Sequence, residues 1–152
     1  MAKPASEWWF HLASLLARGS LGLYFLLAGV GKVRGELSNG LGSFYEGPFS
    51  SMQPSWLPDL LAAPYGYALP WAEVVIGAML TLGLATRLSA TLVALMLLSF
   101  TVALMLARGV SGGSPGPFHP NVILLALSLL LVVVGGGALS VDAMFRGKKA
   151  TP

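Results

Sequence analysis

VVIGAMLTLGLATRLSATLVALMLLSFTVALMLA, residues 74–107, carries a single charge, Arg87. As one helix it would be about 51 Å long at ~1.5 Å per residue, against a hydrocarbon core of about 30 Å. Two spans joined by a tight turn near Ala85–Leu88 fit the length, with Gly83 helping to release the first of them. On either side the pattern repeats, giving apolar stretches at 12–31, 67–86, 88–107 and 120–139. The expected fold is an all-α integral membrane four-helix bundle, one transmembrane domain over residues 1–152. Its one long loop, 33–66, joins the first two helices on the extracytoplasmic side.

The composition agrees and excludes several classes. Hydrophobic residues make up 55% of the chain and charged residues 10%, and mean hydropathy is +0.76, outside the range of ordinary soluble domains. The lipid bilayer is therefore the first partner. The net charge of +3 comes from basic residues scattered singly, so nucleic acid is not an expected partner. Cysteine is absent, which removes disulfide relays, thiolate metal sites and thiol nucleophiles. His11 and His119 are the only imidazoles. They are too few for a metal cluster, and their expected places at opposite faces rule out a shared bis-histidine haem.

Trp8, Trp9 and Phe10 lead into the first span as an interfacial belt, with His11 beside it. That span is too long for a signal-peptide core and contains Arg18, so it is read as uncleaved. The Gly-, Ser- and Pro-rich segment from Lys32 to Tyr65 carries Phe44, Tyr45, Phe49 and Trp56. Connections of this length tend to be lids, binding loops or docking surfaces, and these aromatics either cap the bundle or anchor the loop at the headgroups. The run Ser111–Pro117 is not helical, and Pro120 suits the first turn of the fourth span. Gly135-Gly136-Gly137 ends it. Ser140 then reads as the N-cap of a short surface helix through Arg146, with Asp142 in its first turn. Lys3, Arg87, Arg146, Lys148 and Lys149 flank one side, and Lys32, Arg34 and Arg108 the other. The larger group marks the cytoplasmic side, so both termini are expected there, in a multi-pass protein of the bacterial inner membrane.

Arg18, Gly22, Phe25, Gly29 and Lys32 share one helical face, and Glu73, Gly77, Leu80, Leu84 and Arg87 repeat the spacing. Glycine on such a face admits a close neighbour, so both faces are expected to point inward. A charge in hydrocarbon costs at least about 2.5–3.5 kcal/mol, which implies a partner or water. Antiparallel packing places Glu73 near Lys32, with Arg18 the alternative partner. Arg18 or Arg87 would meet Asp142 at the other end, forming a structural charge cluster. His119 and Asn121 open the fourth helix close to the outer charges. His119 is either a proton donor and acceptor, given its near-neutral titration, or only a histidine at a helix start.

The landmarks resemble the DoxX-like and DoxD-like family of small four-helix bacterial membrane proteins. The resemblance rests on Arg18-Gly19-Ser20-Leu21-Gly22-Leu23-Tyr24-Phe25, Ala28-Gly29-Val30-Gly31-Lys32, Pro70-Trp71-Ala72-Glu73 through Gly77, Gly83 through Ala90, and Gly135 through Asp142. It implies a membrane subunit linked to thiosulfate:quinone oxidoreduction, or to other sulfur-compound or thiol-stress chemistry.

Three functions follow as expectations. In the first, the chain is a subunit of a quinone-linked oxidoreductase. Glu73 and His119 are its catalytic candidates, and Lys32, Tyr24, Trp71 and Asn121 its quinone-binding candidates, because a quinone needs hydrogen-bond donors and a proton source in an apolar pocket. Electrons would come from a redox partner at the extracytoplasmic face or a bound cofactor. The second is a non-enzymatic anchor or assembly subunit, and the third a transport component binding a small solute or lipid. A homo-oligomer fits any of the three.

Overall fold

The computed structural model describes residues 5–108 and 120–148, and among these every regular element is helical. Helix α1 runs Ala5–Asn39, α2 Asp59–Leu82, α3 Thr86–Arg108, α4 Pro120–Val134 and α5 Val141–Lys148. Between α1 and α2 lie a π-helical turn, Tyr45–Phe49, and a 3₁₀ turn, Ser50–Met52.

Helix α1 extends well beyond the 12–31 stretch. Its 35 residues make a rod about 52 Å long, so its last turns pass beyond a hydrocarbon core of about 30 Å. Helix α2 likewise begins earlier than hydropathy indicates, because Pro58 in extended conformation and Asp59 in the first turn start it there. Pro64 and Pro70 lie within it. The connection therefore shrinks from 33–66 to 40–58. Hydropathy marks where a helix is apolar, not where its hydrogen bonds stop.

The turn after α2 also comes earlier than expected. Gly83 takes φ +72°, its N–H bonding to Leu80 O and that of Leu84 to Met79 O, the paired bonds that commonly close a helix at a left-handed glycine. Leu84 and Arg87 thus leave the face they were expected to share with Glu73, and Arg87 sits in the first turn of α3. Gly135 and Gly137, both at positive φ, end α4 after 15 residues rather than at 139. Ser140 accepts the Ala143 N–H at 3.2 Å and starts α5.

Helix α1 lies along α2, and α3 along α4, while α2 and α3 touch only sparsely. Glycine sets the first contact. A Cβ added at Gly29 would stand 2.7 Å from the backbone nitrogen of Val74, and one at Gly22 2.6 Å from that of Thr81. Gly77 is pressed in the same way against the backbone of Leu26. Leu21 and Phe25 of α1, Leu69 and Leu80 of α2, Val93 and Leu97 of α3 and Leu131 of α4 close a shared core.

Polarity is distributed inside out. Arg18, Glu73, Ser89 and Ser128 are buried, while Leu16, Leu27, Val75, Leu95, Leu130 and Val133 are exposed. Such a large apolar exterior requires a nonaqueous surround. Helix α1, over Trp8–Asn39, and α3, over Thr86–Leu106, are long and apolar enough to cross a membrane; α4 is apolar but shorter.

Candidate functional site

At the loop end, Lys32 and Glu73 meet across the α1–α2 contact. The ammonium binds both carboxylate oxygens, 2.6 Å from Oε2 and closer still to Oε1. Glu73 is 1% exposed and the Lys32 side chain 27%, so the cation bridges a buried anion and open space. Its Nζ lies 5.2 Å from the ring centroid of Phe44 and 5.6 Å from that of Phe100, within cation–π range.

Lys32 opens onto a cavity of about 500 Å³ under the 40–58 connection. Phe44, Phe49 and Trp56 wall it from the connection, Leu69 from α2 and Phe100 from α3. The polar groups reaching it are few: Lys32, Gln53, Tyr65, Ser99 and Asn121. Tyr65 and Ser99 hydrogen-bond through their hydroxyls at 2.7 Å, joining α2 to α3. An apolar chamber with a few convergent donors is the usual form of a small-ligand site.

The wall is held in place by a carboxylate that hydropathy gives no reason to single out. Glu36 lies past the 12–31 stretch, is buried, and accepts the N–H groups of Gly42 and Phe44. Those two backbone bonds, Gly42's first, hold its carboxyl below the usual carboxylate range. Gly40 and Gly42 supply the positive φ that turns the chain back onto Glu36. Phe44 is thereby carried to Lys32. The spacing Glu36-x₅-Gly42 is a turn-capping pattern, the one sequence signal that points to it.

The other end is built for packing. Arg18, 2% exposed, donates to the carbonyls of Thr81 and Leu139 and lies within Coulombic reach of Asp142. Asp142 accepts the N–H groups of Ala85 at 2.6 Å and Thr86 at 2.7 Å, capping α3. Ser14 donates to Gly135 O at 2.8 Å, and His11 Nδ1 accepts from Ala138 N at 3.2 Å. The Arg18–Leu139, Ser14–Gly135 and His11–Ala138 contacts tie the 135–140 turn to α1, and Asp142 ties α5 to the start of α3.

Lys32, Glu73 and Asn121 therefore gather at the loop end, Asn121 buried in the cavity wall. Tyr24 and Trp71 do not join them. They are 50% and 45% exposed, each on the outer face of its helix, because one residue of offset (Tyr24–Phe25, Trp71–Ala72) turns a helical side chain by about 100°. Arg87 leaves the Arg18–Asp142 cluster and donates to Val133 O at 3.2 Å, a consequence of the early turn at Gly83. Glu73 pairs with Lys32 rather than Arg18. His119 lies outside the described residues. Tyr65, Ser99 and Gln53, unselected by spacing, line the cavity.

Fold and site together define an all-helical membrane protein with a ligand-sized chamber beside a buried ion pair. The chain belongs to the family of the methylamine utilisation protein MauE, which it matches over residues 10–139. That match overturns the resemblance to DoxX-like proteins. The glycines among the landmarks that carried it are small residues common at closely packed membrane-helix interfaces. The chain is also 28% identical to CatD of Bacillus subtilis (strain 168), a protein described provisionally as an oxidoreductase, over 92% of each sequence. No solved structure matches it.

Proposed function

We propose that this chain is a membrane-embedded accessory subunit of a redox system, and that its loop-end cavity binds a quinone-type head group. The observation carrying this reading is the Lys32 ammonium beside buried Glu73 at the wall of an aromatic chamber of about 500 Å³. The name of CatD and the family membership support a redox setting. The thiosulfate expectation rested on the overturned resemblance and lapses with it.

An ammonium has three N–H donors, and Glu73 takes two. The third can donate to a ligand carbonyl, while Phe44, Phe49 and Phe100 pack on its ring. Asn121 adds an amide from α4, while the single Tyr65 O–H donates to Ser99, whose own proton goes to Met96 O. Glu73, bound to the Lys32 ammonium, is the proton acceptor assigned to the head group. With no thiol and no histidine pair for a haem in the chain, the electrons pass through a redox partner at the extracytoplasmic face. In this reading α1 to α4 cross the inner membrane as a bundle, both termini cytoplasmic.

Extraction of the detergent-purified protein, followed by mass spectrometry, should return quinone near one equivalent from wild type and far less from Lys32→Met. Equal, trace amounts in both would refute the reading and leave an anchoring role. Reporter fusions at residue 48 and at the C-terminus should report opposite sides. A C-terminus outside the cell would reverse the orientation.

A further inference from the structure

A second hollow, about 250 Å³, lies between α2 and α3. It shares Tyr65, Leu69, Leu95 and Ser99 with the loop-end cavity, so the two adjoin at the Tyr65–Ser99 hydrogen bond. Beyond that bond the walls are apolar, Ala72 and Ile76 from α2 and Leu92 and Met96 from α3. Helices α2 and α3 touch only sparsely, and Leu95, which lines the hollow, is exposed. In a chain with an apolar exterior, the rim faces acyl chains rather than water.

We infer that the cavity opens sideways into the bilayer between α2 and α3, and that its ligand is a neutral amphiphile. The polar head lies near Lys32 and the apolar tail in the α2–α3 cleft, with the Tyr65–Ser99 bond as the latch across the passage. This rests on the quinone-site reading and extends it to the tail and the route. The occupant must be neutral because Glu73 already balances Lys32. An anionic head, such as a phosphate, would bring a second negative charge to a buried carboxylate. It must carry a tail because the cleft offers nothing polar between the latch and the lipid.

The test uses the full chain in nanodiscs and two probes, a dimethoxy-methyl-benzoquinone and the same head bearing a decyl chain, each corrected for partition into empty discs. Wild type should bind the decyl compound roughly tenfold tighter or more. Ala72→Phe, which fills the cleft from α2, and Leu92→Phe, which fills it from α3, should each erase that advantage while leaving tailless binding unchanged. Tyr65→Phe, nearly isosteric, should speed exchange of the decyl probe severalfold. Tailless binding with the advantage intact in both filled variants would overturn the cleft alone. Wild type binding neither probe would overturn the quinone site and the cleft with it. Unchanged exchange in Tyr65→Phe would remove the latch.

Discussion

Removing the Lys32 ammonium should cost more than removing the Glu73 carboxylate, and the difference follows from burial. Glu73 is 1% exposed, whereas the Lys32 side chain keeps 27%. In Lys32→Met the carboxylate stays buried without its cation, and breaking such a pair typically costs about 3–5 kcal/mol. Partial solvent access at Lys32 argues for the lower end, about 3 kcal/mol. In Glu73→Gln the ammonium can extend toward the open side, so the loss should be nearer ~1–2 kcal/mol, the scale of one strong hydrogen bond. The double variant carries no orphan charge. It should be more stable than Lys32→Met alone, with a coupling of about 2 kcal/mol. For a chain of this size each kcal/mol moves Tm by roughly 2–4 °C, so Lys32→Met should fall by about 6–12 °C. Thermal unfolding in one detergent at fixed pH, across the four proteins of the cycle, measures all three quantities. Acidification should return part of the Lys32→Met loss, since protonation of Glu73 removes the stranded charge. Additive losses with no recovery in acid would refute the claim that the pair is held by mutual neutralisation.

Glu36→Ala should speed amide exchange at Gly42 and Phe44 and increase proteolysis within 40–58. Because the carboxyl titrates below its ordinary range when folded, its contribution is complete above that range and is lost as pH falls through the lowered value. Wild-type protection factors at those amides, corrected for the intrinsic pH dependence of exchange, should therefore fall in acid, and a flat profile would count against the cap. Gly29→Val should separate α1 from α2 and lower the Tm by more than ordinary overpacking, about 1–3 kcal/mol, since backbone stands in the way. Gly31→Ala, with open space around it, should be neutral or raise stability by up to about 1 kcal/mol through helix propensity; equal effects at the two positions would contradict the α1–α2 contact. Asp142→Asn should cost roughly 1 kcal/mol in thermal unfolding and leave quinone binding intact. A selective loss of binding there would move the site to the other end.

The sequence alone determined the helical class, the membrane setting and the one contact governed by backbone proximity. Apolar runs of span length admit few structures in lipid. A period of three and four, with Gly22, Gly29 and Gly77 between Arg18, Lys32 and Glu73, specifies two faces that can only fit each other. The partnership of Lys32 with Glu73 was therefore legible as the first pairing, with Arg18 as the alternative that the structure removed. What tertiary structure decided is how the remaining surfaces meet. Helix periodicity states which residues share a face, but not which neighbour that face finds or how far a polar continuation such as 32–39 stays helical. Tyr24 and Trp71, beside the right residues in sequence, turn outward. Tyr65, Ser99 and Phe100 reach the cavity from α2 and α3, two helices that touch only sparsely. Glu36 became part of the site only when Gly40 and Gly42 folded the chain back upon it. A chamber is the space between elements that do not touch, and no one element's sequence encodes that distance.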